Sequence, residues 1–251
     1  MRSLMLIAVL AAPLTGACAK KRIEAPAPLA RLDEARHLTR TGKWTKALPM
    51  LQRLAFDLPA GRPELAEVSY LTGEAFFQTG AFTEAAGQFH QVADQFPETP
   101  YAPLGLLRAG DANLRQWRKP QLDPTYGEAA LGVYQELVGR YPDSEAASRA
   151  NVHVRRLRNW FAEKTYLNGM FYLRRKAFDS AIIYFKDVVA NYSDTRWAPD
   201  ALLRLIDSYH AIGYAEEKKE TCEHLRRYYP TVRVSLERCP AAPAPATGAS
   251  P

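Results

Sequence analysis

Three cysteines in 251 residues, none close to another, leave no thiolate pair of the kind that holds a metal. The five histidines, at 37, 90, 153, 210 and 224, are scattered without ligand spacing. His-Glu-x-x-His, a Gly-rich phosphate loop ending in Gly-Lys and a Gly-x-Ser-x-Gly elbow are all missing. Their absence removes the usual sequence grounds for metalloprotease, nucleotide-hydrolase and α/β-hydrolase chemistry. No apolar run approaches the roughly 20 residues that cross a bilayer as a helix. Nor does one sign of charge prevail: 33 basic and 27 acidic residues, mixed along the chain, give +6. No dense basic stripe marks a nucleic-acid face. The expectation is a protein that is not an enzyme, with no catalytic residue, cofactor, metal or nucleic-acid partner. What is present, 47% hydrophobic and 24% charged residues, is the balance of a folded chain.

The two ends differ from the middle. Arg2, the apolar run Leu4–Leu14 and the small residues around Gly16 follow the order of a secretory signal, expected over residues 1–17. The segment also resembles a bacterial lipoprotein signal, which implies lipidation at Cys18, although Thr15 stands where such signals usually carry leucine. An ordinary signal peptide, or a buried helix that contains Cys18, is the competing reading. Ala19 in place of aspartate makes the outer membrane the better address by the same resemblance, with the folded part on its periplasmic face. Residues 18–28, rich in Lys, Arg, Ala and Pro, read as a tether. Residues 231–251 end in PAAPAPATGASP, which has too little apolar surface to offset its ordering entropy and is expected to be mostly disordered. Export permits a disulfide between Cys222 and Cys239. Cys222 falls at a helix packing position, however, and burial as a thiol is expected over a bridge.

Between these ends, residues 29–230 repeat. The clearest copy carries Gly73 and Phe76 in a first helix, Gly80 and Phe82 at the turn, Ala85 and Phe89 in a second helix, and Pro97 at the end. Small residues let two helices approach, aromatic rings fill the seam, glycine closes one helix and proline stops the next. An earlier copy has Ala35, Leu38, Gly42, Trp44, Ala47, Leu51, Leu54 and Pro59. A third has Gly110, a surface loop over Trp117–Thr125, then Ala130, Tyr134, Leu137 and Pro142. A fourth, with Gly169, Phe178, Ala181 and Phe185, places Lys176 where glycine closes the first two, which suggests a different turn geometry. A fifth has Ile206, Tyr209, Gly213, Cys222, Leu225 and Pro230. The pattern predicts an all-α, tetratricopeptide-like superhelix of about five helix pairs.

In such arrays the first helices line the concave side. The outward positions there are predicted to be Leu32, Arg36, Thr39 and Arg40 in the first copy, Glu67, Tyr70, Glu74, Phe77 and Gln78 in the second, and Leu107, Asp111, Leu114 and Arg115 in the third. Aromatic rings beside charges of both signs suit an extended peptide, so Arg36, Arg40, Tyr70, Glu74, Phe77, Asp111, Leu114 and Arg115 form the candidate peptide-binding surface. Packing between repeats is the competing role for Tyr70, Phe77 and Leu114. A glycan-cleaving pair such as Glu67 and Glu74 has no cleft signature to support it.

The stretch Phe171–Pro230, with Arg174-Arg175, Ala181, Phe185 and Tyr192-Ser193-Asp194-Thr195, and the boundary Tyr141-Pro142-Asp143-Ser144 resemble the BamD family. These are lipoproteins of the outer-membrane β-barrel assembly machinery. The resemblance implies a noncatalytic scaffold on the periplasmic face, anchored by lipid at Cys18. Its implied partners are the periplasmic domains of the barrel insertase, unfolded outer-membrane proteins and other assembly lipoproteins. It also implies a substrate-facing region over Leu32–Gln116 and a docking region over Tyr172–Tyr229. The alternative is a periplasmic repeat adaptor for cell-wall synthesis or cell division.

Overall fold

Apolar residues recur at helical spacing through most of the chain, and each such stretch becomes one member of a pair. The computed structural model describes residues 27–233 and 238–239; the signal segment, Cys18, most of the tether and most of the tail lie outside them. Among the described residues ten helices and no strand occur. They are α1 (Pro28–Arg40), α2 (Trp44–Asp57), α3 (Glu64–Gln78), α4 (Phe82–Gln95), α5 (Tyr101–Gln116), α6 (Thr125–Arg140), α7 (Glu145–Arg174), α8 (Phe178–Asn191), α9 (Trp197–Ile212) and α10 (Ala215–Tyr228). Each helix packs on the next, and each odd-numbered helix also touches the following odd-numbered one. That second set of contacts makes the pairs an array whose first helices share one face.

The seams follow the predicted pairing of small and aromatic residues. A Cβ added to Gly73 would stand 2.7 Å from the Phe89 ring, and one on Gly169 would stand 2.7 Å from Phe185. Gly110 meets the Tyr134 ring in the same way. Phe89, Tyr134 and Phe185 are fully buried as a result. Each such ring contributes about 1.5–3 kcal/mol of transfer free energy.

Lys176 corrects one expectation. It has φ 59°, in the left-handed region occupied by Gly42 (72°), Gly80 (86°) and Gly213 (80°), so the α7–α8 turn keeps the geometry of the others. The hydrogen bonds repeat as well: Ala177 N donates to Tyr172 O at 3.1 Å, as Ala81 N does to Phe76 O at 2.9 Å and Tyr214 N to Tyr209 O at 2.9 Å. The fold imposes this conformation on a side chain that opposes it by roughly 1 kcal/mol. Lys176→Gly is therefore expected to raise stability by up to about 1 kcal/mol, read as a higher urea midpoint at unchanged slope.

The Trp117–Thr125 connection is also not all surface. Trp117 is 1% exposed, stacked on Phe161 at 4.7 Å and edge-on to Trp160 at 5.4 Å. It fills the space left by Gly127 at the start of α6. Lys164 Nζ holds the far side of the loop by donating to the Leu122 carbonyl at 2.9 Å.

The boundary tyrosines tie successive second helices. Tyr141 donates to the Pro97 carbonyl at 3.1 Å, and Tyr229 donates to the Ser193 carbonyl at 2.7 Å. Each hydroxyl thus reaches the terminating residue of the preceding copy. At the C-terminal end Cys222 and Cys239 form a disulfide, which corrects the expectation of a buried free thiol. What decides it is that Cys239, far outside α10, is buried in the same cluster as Cys222.

Candidate functional site: the face of first helices

The helical period places the candidate residues of α1, α3 and α5 on one face, but the structure uses most of them to join repeats. Arg36 donates through Nε and Nη2 to the two carboxylate oxygens of Glu67, at 2.7 and 2.6 Å, and through Nη1 to Asp33 at 2.7 Å. Hydrogen bonding to Glu67 holds its guanidinium pKa above the usual arginine range. One repeat later Arg108 grips Glu74 in the same two-pronged way, at 2.5 and 2.9 Å, and donates to Asp111 at 3.1 Å. Such paired contacts fix geometry as well as charge. Asp111 accepts from the Tyr134 hydroxyl at 2.7 Å and lies 3.8 Å from His153 Nε2 on α7. His153 stacks on Tyr134 with ring centres 4.9 Å apart. Further on, Arg204 of α9 donates to the Tyr166 hydroxyl of α7 at 3.3 Å.

These contacts form a polar ladder from α1 to α9. Apolar groups sit between its rungs. Tyr70 lies 5.5 Å from both Phe89 and Tyr101, and burial followed by the nearby Glu74 carboxylate pushes its hydroxyl up to about 12. Burial, then Asp111, pushes the Tyr134 hydroxyl up as well. Phe77 lies beneath the Arg108 guanidinium at 4.0 Å and edge-on to Phe82 at 5.3 Å, with Arg115 5.8 Å from its centre.

The predicted positions therefore separate into four kinds. Arg36, Glu74 and Asp111 are partly buried and engaged with neighbouring helices, while Tyr70, Phe77 and Leu114 pack against the core clusters. Arg40 and Arg115 are exposed; Arg40 Nε donates only to the Arg36 carbonyl, at 3.2 Å, and does not reach the Glu74 group. Gln78, beside Phe77, is exposed too. Leu32 (1%), Thr39 (6%) and Leu107 (0%) were expected to face outward and are buried instead, because each first helix is covered both by its partner and by the next first helix. Arg108 was not singled out from the sequence. The available signal was spacing: Arg36 and Glu67 are 31 residues apart and Glu74 and Arg108 are 34 apart, close to one repeat.

Glu67 and Glu74 are bound to different arginines rather than aimed at a shared point, so they do not make an acid/base pair. Among the described residues no group of three or more His, Cys, Asp or Glu side chains could hold a metal ion. Among them, too, no helix is long and apolar enough to cross a membrane.

Over residues 33–225 the chain matches the family described as YfiO, outer membrane lipoprotein. It belongs to the YfiO family. Curated relatives of this chain carry the name outer membrane protein assembly factor BamD. The one from Caulobacter vibrioides is 27% identical over 219 residues, spanning 84% of this chain and 71% of its own length. That of Xylella fastidiosa strain 9a5c is 24% identical over 238 residues, spanning 89% and 81%. The Vibrio cholerae protein is 31% identical over 99 residues, spanning 39% of this chain and 41% of the relative. Among solved structures, a thermophilic tetratricopeptide-repeat protein from Thermus thermophilus superposes with a TM-score of 0.38 at 19% identity, covering 84% of this chain and 95% of that one. The YfiO match begins inside α1 and ends inside α10, so it includes every rung of the ladder.

Proposed function

We propose that this chain is a noncatalytic assembly factor of the outer membrane, a scaffold on its periplasmic face that holds the barrel insertase and receives unfolded barrel proteins. The observation that carries this reading is the YfiO match across the whole repeat array, supported by relatives named as BamD over most of the chain. A lipid at Cys18 supplies the membrane attachment, and several acyl chains there give a durable anchor where one gives only marginal binding. The rest of the fold then stands in the periplasm with other assembly lipoproteins as neighbours.

Within this reading the region Leu32–Gln116 faces substrate and the region Tyr172–Tyr229 docks on the assembly partners. The laterally paired ladder sets the shape of the receiving face. Arg40, Gln78 and Arg115 remain exposed along it, with Arg115 5.8 Å from the centre of the half-buried Phe77 ring. They offer an extended peptide hydrogen-bond donors and an apolar contact without a dedicated charge-reading pocket.

Two experiments test these assignments. A photoreactive side chain at Gln78 or Arg115 is expected to capture unfolded barrel proteins, whereas one at Ile183, exposed on a second helix, is not. Equal capture from Ile183 would contradict the receiving face. Cys18→Ser is expected to move the protein into the soluble periplasmic fraction; retention in the membrane without incorporated lipid would contradict the anchor.

A further inference from the structure

The last helix pair departs from the others at its seam. Cys222 stands eight residues before Pro230, as Phe89 stands before Pro97 and Phe185 before Ser193. Opposite Phe89 and Phe185 are Gly73 and Gly169; at the matching place opposite Cys222 is Ile206. Bulk has moved to the first helix, and the second contributes a sulfur. That sulfur is bonded to Cys239, and both cysteines are 2% exposed.

The polar ladder departs at the same place. Asp207 follows Ile206 as Glu74 follows Gly73 and Asp111 follows Gly110. Glu74 and Asp111 each meet a base on the next first helix, Arg108 and His153. Beyond α9 the described residues hold no further first helix; Asp207 accepts from Arg204 on its own helix at 3.3 Å, and from outside α9 the base that meets it is Arg238, at 3.2 Å through both Nε and Nη2. Arg226 on α10 donates to the Cys239 carbonyl at 2.6 Å. Tyr229, Val232 and Cys239 join the apolar cluster that contains Leu205, Ile206, Tyr209 and Leu225.

We infer that Val232, Arg238 and Cys239 form a covalently fastened end cap, at the place a sixth first helix would fill. The last unit of a repeat array has an apolar face without a neighbour, and arrays need that face covered. Among the described residues of this end, Cys239 is buried and Val232 partly so, a small apolar area to set against the ordering entropy. The disulfide supplies the rest by restricting the released state.

Release is a redox step. A thiolate of a dithiol reductant attacks one cysteine sulfur, the Cys222–Cys239 bond breaks and a mixed disulfide forms. The reductant's second thiol then displaces that sulfur. The dithiol ends as its own disulfide, and the two cysteines end as thiols, having gained two electrons and two protons. Because both sulfurs are buried, attack waits for the cap to open.

The test is amide hydrogen exchange on the full-length chain before and after reduction with dithiothreitol. Amides of α10 and of residues 229–233 are expected to exchange on the order of 10- to 100-fold faster after reduction, while those of α3–α6 keep their rates. Unchanged exchange in α10, with complete reduction shown by thiol alkylation, overturns the cap. Equal acceleration in α3–α6 overturns it too, since the bond would then be a global brace. Arg238→Ala, with the disulfide intact, is expected to speed reduction by dithiothreitol severalfold by raising the open population. An unchanged rate removes the Asp207–Arg238 pair from the mechanism.

Discussion

Gly110→Leu is expected to cost about 3 kcal/mol or more, among the largest effects a single substitution in this array can have. Even a Cβ at this position meets the Tyr134 ring, so a leucine must drive that ring out of a fully buried site. Three interactions leave with it: the packing of the α5–α6 seam, the Tyr134–Asp111 hydrogen bond and the His153 stack. Denaturant unfolding followed by circular dichroism reads the loss. Because neighbouring repeats are coupled, the damage is expected to spread from α5–α6 into α7. A loss under 1 kcal/mol would mean that the close helix approach at Gly110 does not hold the seam together. Gly73→Leu tests the same logic against Phe89, where the ring carries no hydrogen bond and the expected loss is somewhat smaller.

Arg108→Ala should be the most damaging change on the face of first helices. Its removal leaves Glu74 (13% side-chain exposure) and Asp111 (19%) without their shared cation, and uncovers the Phe77 ring. Burial disfavours the Arg108 charge, and the two carboxylates more than offset that, holding its pKa above the usual arginine value. Breaking a well-buried pair costs about 3–5 kcal/mol. These groups keep some contact with solvent, and about 2–3 kcal/mol is the corresponding expectation here. The pairing is isolated by a double-mutant cycle with Glu74→Gln. The double variant is expected to lose at least about 1 kcal/mol less than the two single losses together. Strict additivity would show that the rung is geometry without energy.

The helix pairs were legible because each leaves local marks: Gly73 against Phe89, Gly80 at a left-handed turn, Pro97 as a stop. The same marks misled at Lys176, where the hydrogen-bonding of the turn outweighs a side chain's preference. Trp117 was misread for a related reason. The prolines around it argue correctly for a loop, but Gly127, Trp160 and Phe161, which bury it, lie on two other helices. Leu32, Thr39 and Leu107 could not be placed by considering one pair at a time, since their burial comes from the following repeat. Arg108 was hidden by its local surroundings, where Asp111 one turn away makes it look like an ordinary surface ion pair. Its tie to Glu74 becomes visible only when positions one repeat apart are compared. Cys222 carried the mark of a packing residue, and nothing within α10 indicates that Cys239 returns to meet it.

The central claim is that this array serves outer-membrane protein assembly, and its most direct measurement is copurification after mild crosslinking in membranes. The tag follows Pro251, away from Cys18. The account predicts recovery of the barrel insertase, with unfolded barrel proteins in substoichiometric amount. Recovery of cell-wall synthesis enzymes with no barrel insertase, under conditions that retain a control envelope complex, would contradict it.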